Sequence, residues 1–223
     1  MFPRLVLFGT LLSSFARLAA ADAITYSVTI DTSSISTTMG SLDFQFDPGP
    51  LVTQASNLQI VNFSSGGTLA DCAANIQGFC PTGDVAGTLP GTLTFDNGTG
   101  FNDYFDDFTF GSTISFQVSL YGPALSSPDG LSTSGSTFAF SMFSDALGTV
   151  PTLTSDTAEG FAFTVDVNLD GTTTVNNFSS QTSVQPAGAA VPEPSSMALL
   201  GTALFCWRAL RFRQQRRRQV AGF

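Results

Sequence analysis

Histidine and lysine are absent from this 223-residue chain, and each absence closes off chemistry. Without histidine there is no Ser-His-Asp or Cys-His activation of a nucleophile and no imidazole metal site. Arginine is confined to the two ends: Arg4 and Arg17 near the start, then Arg208, Arg211, Arg213, Arg216, Arg217 and Arg218. Between Asp22 and Ala190 there is no cation at all, against 15 Asp and the single Glu159, a formal charge of −16 for that span. No salt bridge can form inside it, so every buried carboxylate needs a hydrogen bond or a metal. Nucleic acid is excluded as a partner, because its phosphates require Lys or Arg. Divalent cations and cationic partners would be attracted instead. Glu159 has no partner fixed by the sequence, so two-carboxylate glycoside hydrolysis has no footing. No catalytic residue is assigned, and the chain is not expected to be an enzyme.

What is present falls into three parts. Residues 1–21 read as a secretory signal peptide: Arg4 in the n-region, an apolar stretch from Leu5 to Phe15, then small residues in which Ala19-Ala20-Ala21 or Ala21-Asp22-Ala23 fits the cleavage pattern. Residues 22–186 form the domain, and from Ile24 its hydrophobic period is two. Ile24, Tyr26, Val28 and Ile30 alternate with polar residues. So do Leu42, Phe44 and Phe46; Ile114, Phe116, Val118 and Leu120; Phe138, Phe140 and Met142; and Phe161, Phe163, Val165, Val167 and Leu169. In the stretch Gln54 to Phe63, Leu58 and Ile60 face one way and Val61 and Phe63 the other. Such runs are half-buried strands. Asn97-Gly98 and Asp170-Gly171 predict hairpin turns. About nine to eleven short strands, with no sustained helical period and 22 Phe to fill the interior, predict an all-β fold. The architecture expected is a single antiparallel β-sandwich, jelly-roll-like. In an exported domain Cys72 and Cys80 are placed to pair, closing a nine-residue loop worth about 2–3 kcal/mol; the alternative is two free thiols.

Two acidic sets could hold a metal. Asp166, Asn168 and Asp170 before Gly171 match the first half of a calcium loop, with Asn177 where a bidentate Glu would stand. The same residues also suit the outward face of a strand entering a hairpin. Asp96, Asp103 and Asp107 form the second set, in which a calcium ion would relieve carboxylate repulsion. No other cofactor is expected. Asn62, Asn97 and Asn177 lie in Asn-x-Ser/Thr sequons.

Residues 187–190 are a small, flexible linker, and residues 191–223 a compact signal. Val191-Pro192-Glu193-Pro194-Ser195-Ser196 leads into the apolar stretch Met197–Trp207, which the arginines follow. Eleven residues make a helix of about 16 Å, short against a hydrocarbon core of about 30 Å. The arginines Arg208, Arg211, Arg213, Arg216, Arg217 and Arg218 would retain the C-terminus in the cytoplasm, with the domain outside. Motif, greasy stretch and arginines, in that order at the chain end, resemble the PEP-CTERM proteins. The resemblance implies that Pro192, Glu193 and Pro194 are recognised by an exosortase, an integral-membrane cysteine protease or transpeptidase, after export through the machinery that reads the signal peptide. It also implies an outer-membraned bacterium that makes exopolysaccharide. The stretch from Asp43-Phe44-Gln45-Phe46 through Gly87-Thr88-Leu89-Pro90-Gly91-Thr92-Leu93-Thr94-Phe95-Asp96-Asn97-Gly98-Thr99-Gly100-Phe101-Asn102 is also similar to one family of such exoproteins, to which no biochemical activity is assigned. The expected function is therefore that of a surface or biofilm-matrix protein, held transiently in the inner membrane, with exopolysaccharide as a partner. The alternative is a carbohydrate- or calcium-binding adhesion module.

Overall fold

The alternating runs become strands wherever large apolar residues are spaced by Ser, Thr, Asn or Gln. The computed structural model describes residues 23–70 and 80–188. The expected leader and the whole sorting signal lie outside those residues. Among the described residues twelve strands are formed: β1 Ile24–Asp31, β2 Met39–Pro48, β3 Asn57–Ser65, β4 Thr68–Leu69, β5 Val85–Ala86, β6 Leu93–Asp96, β7 Asp103–Thr109, β8 Thr113–Tyr121, β9 Ser136–Phe143, β10 Phe161–Val167, β11 Thr173–Asn177 and β12 Thr182–Pro186. One α-helical turn, α1, spans Pro123–Ser126, and a 3-10 turn spans Ser33–Ile35. Among the described residues no helix is long and apolar enough to cross a membrane.

The strands make two six-stranded sheets, ordered β12-β1-β8-β3-β6-β5 and β11-β10-β9-β2-β7-β4. The ladders are nested: β1 pairs antiparallel with β8, β2 with β7 and β3 with β6, while β9, β10 and β11 form a meander added to β2. The inward registers meet in a layer of aromatic rings. Phe116 of β8 lies 5.3 Å from Phe44 of β2, 5.2 Å from Phe140 of β9 and 6.3 Å from Phe163 of β10. One face of each sheet is thus joined to the other through phenylalanine, and Phe44, Phe46, Phe138, Phe140 and Phe163 are fully buried. The fold is all-β and sandwich-like.

Three sequence expectations are corrected. Asn97-Gly98 does not turn a hairpin, because β6 and β7 lie in different sheets and the chain crosses between them there. Phe63 joins the same core cluster as Leu58 and Ile60 instead of facing away from it. The register with β8 shifts between Val61 and Ser64, and Asn62 takes a positive φ of 57°. That bulge adds a residue and flips the facing of the side chains beyond it. Leu169 is not part of the β10 face; it sits in the β10–β11 turn and is half exposed. The turn itself is as expected: Gly171 takes φ 81°, and its N–H donates to the Asn168 carbonyl at 3.1 Å. Cys80 is disulfide-bonded. Cys72 lies outside the described residues.

Candidate functional site

The absence of cations makes the fate of each carboxylate the first question, and the β2–β7 ladder poses it most sharply. Leu42, Phe44 and Phe46 of β2 point into the core, so Asp43, Gln45 and Asp47 share the opposite face. The register sets Gln45 opposite Asp103 and Asp43 opposite Phe105, which makes Asp43 and Asp103 diagonal neighbours. Each is only 7% exposed. Gln45 Nε2 donates to Asp43 Oδ2 at 2.9 Å. Asp43 Oδ1 and Asp103 Oδ1, taken as ionised, are buried without a donor. A single proton resolves this. Burial first, then the charge of Asp103 and the hydrogen bond to it, hold the Asp43 carboxyl well above the usual carboxylate range. Burial also raises Asp103, to about 6, against a hydrogen bond from Asp43 that lowers it. The two carboxyls share that proton: whichever keeps it donates to the other, and burial raises both. Burial raises Asp47 too, opposed by the Asn102 N–H, which donates to its Oδ1 at 2.7 Å.

The neighbouring position on β7 faces the other way. Asp106 lies opposite Leu42 and is 1% exposed. The Tyr104 hydroxyl donates to Asp106 Oδ2 at 3.2 Å while accepting the Leu89 N–H at 3.0 Å. Burial, ahead of the Asp106 charge, raises the phenol and keeps it a donor.

Four of the expected calcium ligands, Asp96, Asp166, Asn168 and Asp170, make hydrogen bonds within the turns and ladders. Asp96 ends β6, in the other sheet from β7, and its Oδ1 accepts the Gly98 N–H at 2.8 Å. Asp103 and Asp107 are four residues apart along one face of β7, about 13 Å at strand rise. On the β10–β11 hairpin the side chains serve the ladder. Asp166 Oδ1 accepts the Thr137 hydroxyl at 2.7 Å and its Oδ2 accepts Asn176 Nδ2 at 2.8 Å. Asn168 Nδ2 donates to the hydroxyls of Thr172 and Thr174 at 2.9 and 3.0 Å. Asp170 Oδ1 accepts both the N–H and the hydroxyl of Thr172, at 3.0 and 2.6 Å. Among the described residues no group of three or more His, Cys, Asp or Glu is placed to hold a metal ion.

Two polar residues organise this molecule without having been singled out for it in the sequence. Asn97 Oδ1 accepts the Ser56 N–H at 2.9 Å, and Nδ2 donates to the Gln54 carbonyl and the Ser136 hydroxyl, both at 2.8 Å. It staples β6 to the β2–β3 loop and the start of β9. Asn102 is fully buried; its Nδ2 donates to the carbonyls of Phe46 and Thr99 at 2.9 Å, and its Oδ1 accepts the Asp84 N–H at 2.8 Å and the Thr99 hydroxyl. A buried amide satisfied on every side fixes its surroundings. Asn followed by Gly signals only a local turn, so nothing in the sequence marked Asn97 as a staple.

Pro192, Glu193, Pro194 and the arginines from Arg208 to Arg218 lie outside the described residues, and here comparison with known families decides. A family model described as the PEP-CTERM protein-sorting motif matches residues 190–217. The chain carries the PEP-CTERM motif. The match includes Pro192, Glu193 and Pro194, the apolar stretch and all the tail arginines except Arg218. The PEP-CTERM motif implies an exported protein directed to an exosortase, anchored transiently in the membrane before cleavage. No curated protein and no solved structure matches the chain.

Proposed function

We propose that this is a non-catalytic protein of the cell surface or the extracellular polysaccharide matrix, delivered by a signal peptide and released from its C-terminal anchor by an exosortase. The observation that carries the reading is the sorting motif at residues 190–217 directly behind a domain with no basic side chain. The nested pairings β1·β8, β2·β7 and β3·β6 support a jelly-roll arrangement, with β9 to β12 added at the sheet edges. Such a fold carries no activity by itself.

Paired acids with raised pKa values would also suit acid–base catalysis, as Asp43 and Asp103 could provide. Their burial favours a structural role. Three cavities among the described residues are lined by other side chains, and a substrate needs a cleft. The acidic, hydroxyl-rich surface suits solubility in a hydrated matrix.

Replacing Pro192, Glu193 and Pro194 together by alanine tests the sorting half. The expected result is accumulation of uncleaved protein in the membrane fraction and its loss from the surface. Unchanged fractionation and unchanged mass would overturn it.

A further inference from the structure

A groove of about 580 Å³ lies where the segment after β9 meets the β11–β12 turn. Leu153 and Ser155 form one wall; Asn177, Phe178, Ser180 and Gln181 form the other. The volume is within the range of about 300–1,000 Å³ typical of ligand sites. We propose that this groove binds a neutral polysaccharide chain.

The walls are fixed in advance. Ser155 donates both its N–H and its hydroxyl to the Phe178 carbonyl at 2.8 Å, tying one wall to the other. The Phe178 N–H donates to the Ala162 carbonyl at 2.9 Å. Asn177 closes its own turn, accepting the Ser179 N–H at 3.0 Å and donating to the Thr182 carbonyl at 2.8 Å. Leu153 packs against the core with a positive φ of 55°, a strained conformation for a leucine. Backbone strain of this kind is held in place by its surroundings and concentrates at ligand sites.

The lining specifies the ligand. In a domain whose span carries a formal charge of −16, no charged residue lines this groove. An anionic chain would meet no Lys or Arg and would be repelled by the surrounding carboxylates. A cationic one would be drawn to the carboxylates elsewhere. Half-buried Leu153 and Phe178 offer apolar contact beside exposed hydroxyl and amide groups. Among the described residues the Ser180 hydroxyl and Gln181 Nε2 have no hydrogen-bond partner, which leaves a donor and acceptor set for the hydroxyls of a sugar. Apolar faces edged with hydroxyls are the chemistry of a neutral glycan.

The biological setting rests on the matrix reading above, while the binding chemistry can fail separately from it. The full chain is run in native gels cast with dextran, mannan or hydroxyethylcellulose, and with alginate as the anionic counterpart. Retardation is expected in at least one neutral gel and in no alginate gel. Ser180→Trp, which fills the groove from an exposed position, and Gln181→Ala should each weaken that retardation about tenfold with Tm unchanged. No retardation by any neutral glycan, stronger retardation by alginate, or retardation that both variants leave intact would overturn the proposal. If no neutral glycan retards the parent chain while that chain is exported and cleaved normally, only the ligand assignment fails. If the Pro192–Pro194 replacement is exported and cleaved normally while glycan binding persists, only the sorting half fails.

Discussion

The β2–β7 ladder and the β10–β11 hairpin solve the same problem in opposite ways. Both bring carboxylates onto a strand face in a domain that has no cation to offer. On the hairpin, Asp166 collects donors from both neighbouring strands, Thr137 on β9 and Asn176 on β11. On the ladder, Asp43 and Asp103 meet each other, and a retained proton takes the place of a donor. A domain without Lys, Arg or His can therefore tolerate buried acids through threonine and asparagine, or through protonation, and the second route ties stability to pH.

That difference gives the largest expected effect. Asp103 is raised to about 6 and burial raises Asp43 as well, so above the ordinary carboxylate range the folded pair holds a proton that the unfolded chain has released. Stability from the pair is full below the unfolded pKa and is lost as pH rises through about 6 and beyond. The change is on the order of 2–3 kcal/mol, and Tm should fall by several degrees between pH 5 and pH 8. Asp43→Asn replaces the proton by a permanent donor, so its thermal unfolding should lose most of that pH slope. An equal slope in the variant would remove the shared proton from the account. At the acid end the exposed carboxylates act in the opposite sense. Hydrogen bonds from Ser33 hold Asp31 low, those from Ser132 and Leu131 hold Asp129 low, and those from Thr172 hold Asp170 low. Their contribution is present above the unfolded carboxylate pKa and fades as pH falls through the lowered values. The two trends cross near the unfolded carboxylate pKa, so maximal stability is expected at about pH 4.

The hairpin should respond to substitution. Asp166→Ala leaves the Thr137 hydroxyl and the Asn176 amide without their acceptor, an expected loss of about 2–3 kcal/mol. Asp170→Ala removes a local contact in an exposed turn and should lower Tm by much less. Calorimetric melts of the two variants check the ranking.

Local pattern carried most of the fold into the sequence. Phe44, Phe116, Phe140 and Phe163 could be placed on inward faces from period two alone, because alternation on a half-buried strand has few other solutions. What resisted reading depends on pairings distant in sequence. Asp103 stood out as part of an acidic set, yet its partner Asp43 is visible only once β2 is registered against β7. Asn97-Gly98 carried a strong hairpin signal, but the side-chain bonds of Asn97 to Gln54, Ser56 and Ser136 hold a crossing between sheets instead. The bulge at Asn62 likewise has no local signature. The tail is the reverse case: its motif is short, contiguous and ordered along the chain, so it was legible without any structure.

The central claim is that this tail is a signal to be cut. Six of the eight arginines lie in it, so cleavage at both ends would leave a product with no basic side chain. Intact-mass measurement of the exported protein, from cells with and without a functional exosortase, tests this most directly. The expected species in the first case lacks Arg208 through Phe223, and in the second retains them. An exported protein that ends at Phe223 in both strains would contradict it.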